Sequence, residues 1–161
     1  MSKPRYNWWP FVLNMIRDYP ERAKEIREMR QQKVTANTGG MPGGGGASRT
    51  TEGVAMRELP DKQAQREYEA VSKAMARTKA RAEGKLRLEV VKLTLWKGYS
   101  IQGAATSTNT APDTARRYRW QFIMLVGCCY GFLTEDEYRA AIRKEQGNKK
   151  MESQSQNNVL S

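Results

Sequence analysis

Residues 86–130 constrain the fold more than any other part of the chain. They read as a helix, a short second helix, a tight turn and a long basic third helix, which is the order of a helix-turn-helix built to enter a DNA major groove. Leu86, Val90, Leu93 and Leu95 follow helical spacing, so an amphipathic helix is predicted over 86–96, with Gly98 able to end it. Ser100 suits the N-cap of a second helix that runs through Ala104 and Ala105. A methyl group at Ala105 fits where two helices cross closely, and a larger side chain would push them apart. Asn109 tolerates the left-handed backbone of a tight turn, and Pro112 belongs in the first turn of the next helix.

The third helix divides into two faces. Ala115, Tyr118, Phe122 and Val126 give one buried stripe, while Asp113, Thr114, Arg116, Arg117 and Arg119 are assigned to the other face. A recognition helix needs this division, because apolar atoms seat it on its own domain while the first two turns reach base edges and phosphates. The same pattern also fits a small helical core with a solvated basic face.

Charge narrows the partners. Across 161 residues, 28 Lys and Arg stand against 17 Asp and Glu, a formal net charge of +11, and such a balance favours a polyanion: DNA, RNA or an anionic membrane surface. The membrane is the weakest of these, since no segment approaches the roughly 20 apolar residues of a span and the start has no signal-like apolar run. A cytoplasmic protein is expected. Cys128 and Cys129 are neighbours on the apolar end of the third helix and read as small buried hydrophobes in a reducing compartment. With no histidine and two thiols, a four-ligand zinc site of Cys and His cannot be assembled, so no metal and no cofactor are expected.

Taken in order, the chain opens with a segment (1–34) expected to be a helical hairpin. Trp8, Phe11, Val12, Met15 and Ile16 form one helix, Tyr19-Pro20 interrupts it, and residues 21–33 form a second with Ala23, Ile26 and Met29 on its apolar side. The hairpin either packs on the main body or uses Trp8, Trp9 and Phe11 to bind a partner, aromatic anchors being frequent in interfaces. Residues 35–51, with Gly39-Gly40 and four glycines at 43–46, read as a flexible linker. A P-loop is excluded because Ala47-Ser48-Arg49 stands where Gly-Lys-Ser or Gly-Lys-Thr is needed. Arg49 and its neighbours also suit an arm along the DNA backbone.

Residues 52–146 are expected to hold a central helix over 52–83 and the helix-turn-helix. The central helix carries Tyr68, Val71 and Met75 on one side, with Asp61 as a cap beyond Pro60. It either braces the DNA-binding unit or makes a homodimer seam. Gly131 is a helix stop, Phe132-Leu133 can fold back on the core, and Thr134 with Glu137 forms a capping box opening a short helix over 135–144. The polar residues 147–161 are expected to be disordered. No catalytic constellation is visible: there is no His base, and Glu135, Asp136 and Glu137 suit an acidic first helical turn, so an enzyme is not expected.

Asp18-Tyr19-Pro20 after a helical start, the glycine-rich break, Thr51-Glu52 opening a central helix, and Thr114-Ala115-Arg116-Arg117 in the C-terminal motif together resemble the RinA and ArpU type of bacteriophage late-gene transcriptional activator, over roughly residues 8–132. The resemblance implies an all-helical protein with a C-terminal domain like the fourth region of sigma factors. It implies a role at late promoters with bacterial RNA polymerase as partner, and it places Asp113, Thr114, Arg116, Arg117 and Arg119 on the recognition helix. This chain departs from the group at Ala111, where a Ser would cap that helix, and at Gly103, which weakens the second helix by up to about 1 kcal/mol. Two other readings stay open: a small terminase subunit that binds viral DNA as a ring, and an adaptor that binds protein alone through Trp8 and Trp9.

Overall fold

The computed structural model describes residues 6–36 and 61–158, and among these every regular element is helical. Six helices are formed: α1 (Trp9–Ala36), α2 (Lys62–Lys79), α3 (Gly84–Val91), α4 (Ile101–Ser107), α5 (Pro112–Tyr130) and α6 (Glu135–Asn158). A π-helical segment, Lys92–Trp96, continues α3. α5 is the central element and packs against all the others. The main core joins Val12, Met15 and Ile16 of α1, Val71 and Ala74 of α2, Leu88 and Val91 of α3, residues 122–126 of α5 and Tyr138 of α6. A second, smaller cluster holds Val90, Ala105, Ala115 and Tyr118, flanked by Leu86 and Ile101.

Short-range signals explain where most helices begin and end. Asp61 caps α2 by accepting the Gln63 N–H at 2.9 Å. Gly131, at φ 109°, closes α5, and the N–H of Phe132 returns to the carbonyl of Gly127 at 2.9 Å. Thr134 and Glu137 form the reciprocal capping box of α6: the Thr134 N–H donates to the carboxylate at 2.8 Å, and the Glu137 N–H donates to the Thr134 hydroxyl at 3.2 Å.

Three expectations are corrected. The first segment is not a hairpin, because α1 runs unbroken through Pro20. Proline removes the N–H that would bond the carbonyl four residues back, at Ile16. Here the indole N–H of Trp96 donates to that carbonyl instead, at 2.5 Å. Contacts on both sides of Pro20 hold the helical path: Tyr19 stacks on Tyr68 at 5.2 Å and meets the Ser72 hydroxyl at 3.1 Å, and Arg22 pairs with the buried Glu67. Tertiary packing thus overrides the local signal.

The central helix also ends early, at Lys79, and the chain turns before α3. Gly84 makes that turn close: a Cβ there would lie 2.3 Å from the Lys79 carbonyl oxygen, and Glu83 before it adopts a left-handed backbone at φ 57°. Residues 52–60 lie outside the described residues. So does the linker from residue 37 onward, with Arg49, whereas Thr35 and Ala36 finish α1.

The third correction concerns the polar tail, which continues α6 as far as Asn158 instead of breaking at Gly147. Residues 144–152 contain no proline and are rich in Lys, Glu and Gln, good helix formers, so one glycine at a cost of about 1 kcal/mol does not stop the helix. Among the described residues no helix is long and apolar enough to cross a membrane.

Candidate nucleic-acid interface

The surface of interest is built on α4, the turn after it and the first half of α5. Ser100 caps α4 by accepting the Gly103 N–H at 3.0 Å. At the other end the chain reverses through Asn109, which takes the left-handed backbone at φ 52°. The N–H of Thr110 returns to the Ala105 carbonyl at 2.9 Å, and the hydroxyls of Thr108 and Thr110 meet at 2.9 Å, which stiffens the turn. Ala111 occupies the N-cap of α5 with no side-chain cap, and Pro112 opens the helix. Thr110 therefore does not replace the missing serine, because its hydroxyl is engaged with Thr108.

Ala105 and Ala115 are both buried in the small cluster, as their spacing predicts. Tyr118, Phe122 and Val126 complete the buried stripe of α5. Small side chains where α4 and α5 meet let the two backbones approach closely, and this fixes the direction in which α5 projects.

The five residues assigned to the opposite face fall in three different settings. Asp113 and Arg116 are well exposed and paired with each other at 2.7 Å, one helical turn apart. Arg117 is half-buried, with its guanidinium 5.7 Å from the Tyr118 ring centroid. Thr114 is half-buried at the edge of the face. Arg119 does not share that face. It lies four residues after Ala115 and three before Phe122, on the border of the buried stripe, and its Nε is buried with no hydrogen-bond partner among the described residues. Burial, together with the nearby Arg17, lowers its pKa from the usual arginine value.

Behind the exposed face sits a polar assembly that the sequence pattern did not single out. Tyr118 donates its hydroxyl hydrogen to the carboxylate of Glu83, and Arg87 lies over the Tyr118 ring at 4.4 Å. Arg87 also donates to the buried Gln121 at 2.8 Å and to the Ala82 carbonyl at 3.1 Å. Burial, then the bond to Glu83, raises the Tyr118 pKa and keeps it a neutral donor. These contacts brace the second turn of α5 from α3 and its leading turn. The bonds to Glu83 and Gln121 join residues about 35 positions apart, and helical periodicity carries no signal of such pairs.

The aromatic residues assigned to partner binding are half-buried against their own chain. Trp8 stacks on Phe132 at 5.7 Å and on Tyr6 at 4.9 Å, and its ring covers Gly127, where a Cβ would lie 2.8 Å away. Phe11 packs beside Tyr130 and Phe132, and Trp9 lies 5.9 Å from Trp8. Phe132 is the exposed member of this group. Close by, Arg77 of α2 holds Glu135 of α6 through two hydrogen bonds, at 2.6 and 3.2 Å. Cys128 and Cys129 are free and half-buried, and burial pushes both thiols up, so neither is an activated nucleophile.

Set against known proteins, the chain matches no family model, no curated protein and no solved structure.

Proposed function

We propose that the chain is a sequence-specific double-stranded DNA-binding protein in which α4, the Asn109 turn and α5 act as a helix-turn-helix. In this reading it is a transcriptional activator of bacteriophage late genes that works at a promoter with bacterial RNA polymerase, as the resemblance noted above implies. The observation that carries the DNA-binding part is the exposed Asp113 and Arg116, with the half-buried Arg117 beside them, on the first two turns of a helix whose buried face is locked by Ala105, Ala115 and Tyr118. The net charge of +11 supplies the long-range attraction. An exposed ion pair is worth about 0.2–1 kcal/mol, so Asp113 releases Arg116 to a guanine or a phosphate at little cost. Asp113 is then free to accept from a cytosine amino group.

The test is recovery of bound fragments from the encoding genome at two salt concentrations. The reading expects one promoter-proximal site that survives the higher salt. Weak recovery of every fragment, vanishing with salt, would reduce the activity to general polyanion binding. Arg117→Ala sharpens the result: a base contact costs about 1–3 kcal/mol and relaxes specificity at one position, whereas a phosphate contact weakens all sequences alike. Light scattering separates the packaging reading, which requires a ring of many subunits.

A further inference from the structure

Arg119 lies near enough to Arg17 for their like charges to interact. Neither makes an ion pair with a described residue, although five other ion pairs are formed. The Nε of Arg119 is buried and unpartnered. A half-buried cation beside a second cation is stabilised when an anion joins them.

The register of the helices places the pair independently. Trp8, just before α1, covers Gly127 of α5. Going nine residues forward along α1 reaches Arg17, and going eight back along α5 reaches Arg119, travels of about 13.5 and 12 Å at 1.5 Å per residue. Phe11 packs beside Tyr130, whereas Ile16, further along α1, bonds Trp96, which lies against Phe122 further back along α5, so the two helices run antiparallel and Arg17 falls toward Arg119. Val12 and Ile16 of α1 belong to the same core as Ile123 of α5. Arg119 is also one turn beyond Arg116 and neighbours it on the surface of α5. The pair thus lies at the margin of the exposed face, where a helix seated in a groove meets the wall of the groove.

We propose that Arg17 of α1 and Arg119 of α5 together clamp one backbone phosphate of the duplex at the edge of the groove that α5 enters. The clamp rests on the DNA-binding reading above, and it adds a residue of the first helix that the recognition pattern does not contain. A phosphate oxygen accepts from the terminal N–H groups of both guanidinium groups and supplies the missing counter-charge beside the buried Nε. It sets the register of the protein on the duplex and leaves base choice to Asp113, Arg116 and Arg117. Because the two arginines come from different helices, the contact also couples α1 to the orientation of α5.

The experiment uses the full chain and a duplex that the protein itself selects from a random-sequence pool. Affinity is measured across a salt series for wild type, Arg17→Ala, Arg119→Ala and the double variant, with Arg27→Ala on the exposed face of α1 as the control for simple loss of charge. The clamp expects Arg17→Ala to weaken binding about tenfold and to reduce the salt slope by about 1, with the selected sequence unchanged. The double variant should lose little more than either single one, since both residues hold the same phosphate. Arg17→Ala removes an exposed side chain, so it reports even where Arg119→Ala disturbs folding. A slope for Arg17→Ala equal to that of Arg27→Ala overturns the clamp while leaving the DNA-binding reading in place. A changed selected sequence overturns it as well, by making Arg17 a base reader. Failure of the wild-type protein to select any duplex overturns both.

Discussion

The two halves of α5 differ sharply although they belong to one unbroken helix. From residue 121 to 127 every residue is buried, whereas from 112 to 120 burial is confined to Ala115 and Tyr118. The second half is the axis of the main core, enclosed by α1, α2, α3 and α6. The first half is held from one side by a small cluster in which two of the four buried residues are alanines. A helix enclosed at one end and open on one face at the other is stiff where it is anchored and accessible where it projects. Stability thus rests on one stretch of the helix, and the other is the stretch that the proposed reading assigns to recognition.

The largest expected effect comes from the enclosed half. Phe122 is buried and meets Trp96 edge to face at 6.5 Å. Phe122→Ala should cost about 3–5 kcal/mol in urea unfolding, through lost burial and the cavity left behind. Arg117→Ala in the open half should stay within about 0.5 kcal/mol of wild type by the same measurement. Comparable losses for the two variants would erase the distinction between the halves.

A smaller effect sharpens it from the other side. Ala105→Leu adds three carbons where α4 meets α5, and overpacking of this kind costs about 1–3 kcal/mol. The strain falls on the small cluster, so backbone amides of residues 112–120 should exchange hydrogen faster while those of 121–127 keep their protection. DNA affinity should fall with them. If exchange instead rises evenly along α5, the small cluster is not an independent anchor for the first half.

The sequence was legible where a single residue decides the backbone locally. Ser100, Asn109, Pro112, Gly131 and the pair Thr134 and Glu137 each stand where their chemistry predicts, and so do the four members of the buried stripe. It was misleading at Pro20, because the partner that takes over the Ile16 carbonyl is a tryptophan 80 residues away. Arg119 was assigned by its charge to the exposed face, yet its spacing from Ala115 and Phe122 already placed it beside the buried stripe. Glu83, Arg87 and Gln121 carried no pattern at all, since polar side chains that meet across a fold leave no period in the sequence. The same holds for Arg17, whose place near Arg119 appears once α1 is laid antiparallel on α5.

The smallest effect concerns how the enclosed half is closed off at its C-terminal end, where Arg77 ties α2 to the first turn of α6. Hydrogen bonding to Arg77 is the main cause that holds the Glu135 carboxyl below its ordinary value of 4.5. A carboxylate with a depressed folded-state pKa adds stability above its unfolded value, and that stability is lost as the pH falls through the folded one. Both groups are partly exposed, at 32% and 41%, so solvent screening limits the pair to about 0.2–1 kcal/mol. Glu135→Gln should therefore lower the unfolding free energy by that amount at pH 7, and the two proteins should converge as the pH falls through the depressed folded-state value, where the carboxyl becomes protonated in both folded and unfolded states. Glu137 is also depressed, by its bonds to Thr134, and it remains in the variant, so some acid sensitivity persists after the substitution. A gap between wild type and Glu135→Gln that stays constant down to low pH would show that the substitution acts through packing, and that charge on Glu135 has no part in closing the core.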